Sequence, residues 1–271
     1  MSSEEGRLIT KDALDIYLKE TAKEFRKQNG KAVRAELILI GGAAVLINYG
    51  FRGMTTDVDA VIQASSGMKD AINRVGDRYH LPYNWLNADF ERTESYSPRL
   101  AEHSTYYKTF SNVVEVRTVA AEYLIAMKLR SGRRYKHDLS DVVGILSEHK
   151  SKGKPITMEQ IRRAVCDLYG DWMLLPEHSR QFIEWAMRAG RYESLYEKVV
   201  SDEQSTKKDL IRFEKDFPGA LNEDSMDNII ENLQRRREQK SPLRQSLQEA
   251  KEEASRKQNE RKNSRKKDLE R

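Results

Sequence analysis

Hydrophobic and polar positions follow helical and strand periods over most of the first 233 residues, and then the pattern stops. Over 10–28, Leu14, Leu18 and Phe25 recur at helical spacing with Tyr17 and Ala22 beside them. This predicts an amphipathic helix with Thr10 as its N-cap and Gly30 as its stop. The apolar run 36–40 predicts a strand, Gly41-Gly42 a turn, and 43–48 a short helix. A loop over 49–54 leads to a second apolar strand at 57–62, and 66–78 reads as another helix. Residues 80–87 are irregular and rich in turn formers. The β-rich runs 105–110 and 113–119, separated by Ser111-Asn112, predict a hairpin. Helices are predicted over 120–130 and 138–149, with Ser131-Gly132 between them, and 150–155 is a linker by composition. Short helices are expected over 158–169, 179–189, 192–200, 207–217 and 225–233.

The expected architecture is α+β. It places a small mixed sheet with helices in residues 1–150, a helical domain in 151–233, and a charged tail, helical or disordered, in 234–271. Charge sharpens that division. The chain is 38% hydrophobic and 34% charged, with a net charge of +5. Residues 235–271 hold fourteen Lys/Arg against seven Asp/Glu, so this segment carries +7 and residues 1–234 carry −2. The basic pI of about 9.1 therefore belongs to the tail, not to a nucleic-acid-binding core. A mixed, solvated helix is the commoner reading of such a tail, and charge-based contact with RNA phosphates the sharper one.

No apolar run approaches the roughly 20 residues that span a bilayer. The start, Met-Ser-Ser-Glu-Glu-Gly, lacks a basic and then apolar leader. Cys166 is the only cysteine, so no internal disulfide can form, and no Cys/His spacing suits zinc. A cytoplasmic protein without a membrane partner is the expectation.

The strand at 57–62 carries Asp57 and Asp59. Side chains at i and i+2 of a strand share a face, so both carboxylates point the same way. On an otherwise apolar strand that pairing is costly unless something positive sits between them. A divalent metal that also holds a triphosphate fits. Glycines at a strand-to-helix turn suit phosphate, because helix N-terminal N–H groups attract it and no Cβ blocks the approach. Gly41 and Gly42 occupy such a turn.

Taken in order, Gly41-Gly42, a short helix, Arg52-x-x-Thr55 and Asp57-x-Asp59 resemble the polymerase-β-like nucleotidyltransferase superfamily. The closer likeness is to the AbiEii/MenA-type toxin nucleotidyltransferases. His80 to Asn87 is similar to a linking segment in some of these proteins. Lys128, Arg133-Arg134 and Asp138-Leu-Ser-Asp141 resemble their downstream helix-loop-helix signature. The likeness covers residues 35–146. It implies Gly42, with Gly41, at a phosphate turn, and Asp57 and Asp59 as ligands of Mg²⁺ or Mn²⁺. It also implies Lys128 as a phosphate-facing cation and Asp138 as an acid near the reacting centre. Two departures stand out: Gly42 occupies a place where serine is common, and His137 one where arginine is common in toxin relatives. Glu115, flanked by apolar residues on a later strand, is the candidate third metal-binding carboxylate, with Asp138 as the alternative.

Plainer readings stand beside these. Arg52 can hold phosphate or pair with a nearby acid, and Thr56 can simply support the strand entry. Lys128 can snorkel from a core helix. Asp138 can cap its helix, while Asp141 is expected to face solvent. Arg133 and Arg134 can contact phosphates or be surface charges. Trp85, Trp172 and Trp185 are expected in packing, His137 in a solvated loop, and Cys166 in the core of its helix. The expected activity is transfer of a nucleoside monophosphate from an NTP to an RNA acceptor, first of all a tRNA 3′ end, under the restraint of a cognate antitoxin. The alternatives are NMP transfer to a protein and a non-catalytic module that binds nucleic acid or a partner.

Overall fold

The computed structural model describes residues 8–222, 226, 228–233 and 235. Helix α1 (Lys11–Asn29) starts where Thr10 accepts the Ala13 N–H and ends at Gly30, with Leu14, Leu18 and Phe25 fully buried. Strand β1 (Ala35–Leu39) runs into α2 (Gly41–Asn48), and β2 (Val58–Gln63) into α3 (Gly67–Tyr79). After β3 (Leu86–Asn87) come two 3₁₀ turns, Asp89–Arg92 and Pro98–His103. The hairpin of β4 (Ser104–Phe110) and β5 (Val114–Val119) turns through Ser111 and Asn112, which both have φ above +50°. Two successive positive φ angles match the right-handed strand twist.

The five strands lie in the order β3-β2-β1-β5-β4. Pairing is antiparallel for β1–β2 and β4–β5 and parallel for β1–β5 and β2–β3, so the sheet is mixed. One face packs on α1 and α3 through Leu37, Leu39, Val58 and Ala60. The other face buries Ile38, Ile40 and Val119 with α4 (Ala121–Ser131), α5 (Asp138–Ser151) and α6 (Met158–Tyr169). Helices α7 (Glu177–Ala189) and α8 (Tyr192–Asp216) follow.

The described residues fall into two compact units divided after Glu203, a position within α8. Position 150 lies inside the first unit, near the end of α5. In the second unit Phe213 and Phe217 pack ring on ring one turn apart, and the described residues of 226–235 are helical. Residues 236–271, where most of the expected tail falls, lie outside the described residues.

Three expectations about the fold needed correction. Residues 86–87 form strand β3, because the β2 edge supplies partners that a turn-rich sequence does not advertise. The predicted break between 200 and 207 is absent and α8 is continuous; Ser201 to Thr206 are polar but include neither Gly nor Pro. Cys166 is exposed, since α6 turns Ile161, Ala164, Val165 and Leu168 inward instead. Of the tryptophans, Trp85 is core, its indole N–H donating to the Ile72 carbonyl, and Trp185, 48% exposed, has its ring 6.3 Å from that of Phe182. Among the described residues no helix is long and apolar enough to cross a membrane.

Candidate active site

A cleft of about 200 Å³ opens at the end of the sheet where β1 passes into α2. Asp57, just ahead of β2, and Asp59, on it, both line the cleft. Between them Val58 turns the opposite way and is fully buried, so strand alternation delivers both carboxylates to one side. The Ile40 N–H donates to the Asp59 carbonyl, which brings the first turn of α2 against β2. Gly41, at φ +54°, is the glycine that lines the cleft, and a Cβ there would lie 3.4 Å from Asp59 Oδ2.

Gly42 plays a different part. A Cβ on it would meet the Thr55 hydroxyl at 2.7 Å and the Arg52 guanidinium at 2.8 Å. Its missing side chain lets Arg52 pass behind the turn to reach Asp141 at 2.6 Å. Gly42, Arg52 and Thr56 do not line the cleft. Thr56 donates to the neighbouring Asp57 carboxylate across 3.3 Å.

The wall opposite comes from α4 and α5. Lys128 is buried, with its Nζ 2.9 Å from Asp138 Oδ1 and 2.9 Å from Asp141 Oδ2. Arg133 Nε sits 2.7 Å from Asp138 Oδ2. Three cations, Arg52, Lys128 and Arg133, thus share two buried carboxylates. Burial works to discharge Lys128, but Asp138 and Asp141 outweigh it and its pKa is raised. For Asp138, too, burial opposes the charge, yet Lys128 and Arg133 hold its carboxyl well below the usual range. Asp138 is therefore not a simple N-cap, and Asp141, expected in solvent, is 2% exposed.

Behind this network Glu203 of α8 caps α5. Its Oε1 accepts the Leu139 and Ser140 N–H groups and its Oε2 the Ser140 hydroxyl at 2.6 Å. Burial nonetheless pushes the Glu203 pKa up to about 8, against the lowering effect of the Ser140 bonds.

The acidic side of the cleft lacks such compensation. Burial, and then the charge of Asp57, push the Asp59 pKa up to about 6, and Lys128, Arg133 and Lys136 offset this only in part. Among the described residues no group of three His, Cys, Asp or Glu side chains could hold a metal by itself. The Asp57/Asp59 pair suits a hard divalent cation that shares its shell with a substrate. Mg²⁺ is ordinarily held by one or two carboxylates plus substrate phosphates rather than by an all-protein cage.

Glu115 does not belong to the set. It pairs in register with Glu36, whereas the cleft end of β5 is at Thr118, opposite Leu39. Three residues along a strand is roughly 10 Å. There Glu115 binds Arg117 at 2.8 Å and borders a separate surface hollow with Arg34 and Gln63. Its apolar neighbours marked a strand correctly but said nothing about which end faced the cleft.

Several cleft residues escaped the sequence reading. Asp89 and Phe90 come from the 3₁₀ turn after β3, and Lys136 from the α4–α5 loop. Nothing periodic marks them; pairing of Asn87 beside Asp59 is what delivers the Asp89 turn to the cleft.

Residues 16–149 match the family described as "Nucleotidyltransferase of unknown function (DUF6036)". This stretch is a nucleotidyltransferase-type domain. It starts within α1, ends within α5, and contains all five strands and both walls of the cleft. No curated protein and no solved structure matches the chain.

Proposed function

We propose that this nucleotidyltransferase-type domain catalyses divalent-metal-dependent transfer of a nucleoside monophosphate from an NTP to an acceptor hydroxyl, releasing pyrophosphate. One observation carries the reading: an uncompensated pair of carboxylates, Asp57 and Asp59, faces a cation-bearing wall across a cleft that also receives a helix N-terminus. Asp57 and Asp59 would hold Mg²⁺ or Mn²⁺, which when bound supplies charge neutralisation to the triphosphate. The N–H groups around Gly41 present donors to phosphate oxygens. Lys128 and Arg133, tied to Asp138, hold the opposite wall rigid across the cleft. In the reaction the acceptor oxygen forms a bond to the α-phosphorus as the bond to the pyrophosphate oxygen breaks.

The acceptor we favour is RNA, with a tRNA 3′ end first, because the downstream Lys128 and Asp138-Leu-Ser-Asp141 signature resembles the toxin branch of the superfamily. On that reading the protein acts under the restraint of a cognate antitoxin. Incubation of the full chain with each labelled NTP, Mg²⁺ and total RNA tests it. Label in an RNase-sensitive band is the expected result. Absence of label with all four NTPs would defeat the RNA reading, and label in an RNase-resistant protein band would move the acceptor to protein.

A further inference from the structure

Among the described residues, three cationic side chains line the cleft: Lys128, Arg133 and Lys136. Two are already engaged. The Lys128 ammonium is clamped between Asp138 and Asp141, and the Arg133 guanidinium lies against Asp138. A charge held at 2.9 Å by two buried carboxylates is largely neutralised before any ligand arrives, and drawing it away would leave each of those carboxylates one cation fewer. Lys136 differs. It makes no hydrogen bond or ion pair with any described residue, lies on an exposed stretch of the α4–α5 loop, and still borders the cleft with Asp57 and Asp59.

We infer that Lys136 is the residue that contacts the triphosphate of the bound nucleotide, a role the family resemblance implies for Lys128. The inference rests on the nucleotidyltransferase reading above and names the substrate contact within it. A lysine ammonium is a mobile point charge with three donors, the usual form of a phosphate contact when no bidentate geometry is required. Partial enclosure, and then the neighbouring Arg133 charge, lower the Lys136 pKa, with Asp138, Asp57 and Asp59 opposing them only in part. An incoming polyanion relieves that repulsion. Lys128 then acts at one remove from the substrate, holding Asp138 and Asp141 together so that the α4–α5 loop carrying Lys136 is fixed over the cleft.

The test uses the full chain with Mg²⁺ and titrates each of the four NTPs and the matching nucleosides by calorimetry, for wild type, Lys136→Met and Lys136→Arg. Lys136→Met is expected to weaken NTP binding roughly ten- to hundredfold, and to leave both nucleoside binding and the melting temperature unchanged. Lys136→Arg should retain most NTP affinity. NTP binding by Lys136→Met equal to wild type overturns the inference and leaves the nucleotide reading standing. So does a loss shared equally by NTPs and nucleosides, which would mark a structural role. Failure of the wild-type chain to bind any NTP overturns the nucleotide reading, and the inference with it.

Discussion

The two walls of one cleft treat charge in opposite ways. On the α4–α5 side, Lys128, Arg133 and Arg52 face Asp138 and Asp141 at 2.6–2.9 Å. Burial there is severe, but each ion has a counter-ion and hydrogen bonds that offset its lost hydration. On the β2 side, Asp57 and Asp59 stand side by side, and the Asp59 pKa rises to about 6. A charge cluster that neutralises itself serves chiefly to hold helices together. One that does not is where a cation and its polyanionic ligand have something to gain, so the less satisfied wall is the better guide to function.

The comparison breaks most visibly at the aspartates. Asp57→Asn and Asp59→Asn should each lower nucleotidyl transfer by roughly 10³-fold or more, the scale of several kcal/mol of lost metal-mediated stabilisation. Asp59→Asn should also raise the melting temperature of the metal-free protein by a few degrees, because it removes a half-buried charge that Asp57 repels. Measuring label transfer and thermal unfolding on the same samples checks both. A variant that melts lower and still transfers label would overturn the contrast.

Lys128→Met is the opposite case. It leaves Asp138 with Arg133 alone and Asp141 with Arg52 alone, at a cost of about 3 kcal/mol. For a chain of this size that corresponds to roughly 10 °C in melting temperature. An unchanged melting curve would show that the network is not structural.

A smaller effect is expected at Glu203. Its carboxyl keeps a proton up to about pH 8 in the folded chain but ionises near 4.5 when unfolded. The folded state therefore binds more protons across that window, and stability is present below it and falls as pH rises through it. Glu203→Gln, which retains an acceptor for the Leu139 and Ser140 N–H groups, should flatten the fall in melting temperature between about pH 5 and 9. An equally steep profile in the variant would place the titration elsewhere. Smallest of all, Glu115→Ala should change stability by no more than about 0.5 kcal/mol and leave transfer untouched. A large loss of activity would return Glu115 to the site.

Much of the fold could be read from the chain because it depends on short-range rules. Thr10 and Gly30 delimit α1, and Ser111-Asn112 sets the hairpin, through local backbone chemistry alone. The place of Asp57 and Asp59 on one face follows from strand alternation. Strand β3 was missed because two residues paired to a sheet edge carry no period of their own. The break expected in α8 came from polar residues that, lacking Gly or Pro, do not stop a helix.

By itself, then, the sequence determined most of the strands and helices, and that two carboxylates share a side beside a glycine turn. Only the tertiary structure decided their company. It brought Gly41 to the cleft and set Gly42 behind it, tied Arg52 to Asp141, and clamped Lys128 between two acids. It carried Glu115 to the far end of the sheet and left Lys136 facing the opening. The physical reason is range. Backbone geometry repeats over a few residues, whereas the strength of a buried charge depends on partners tens of residues away that meet only when the helices pack.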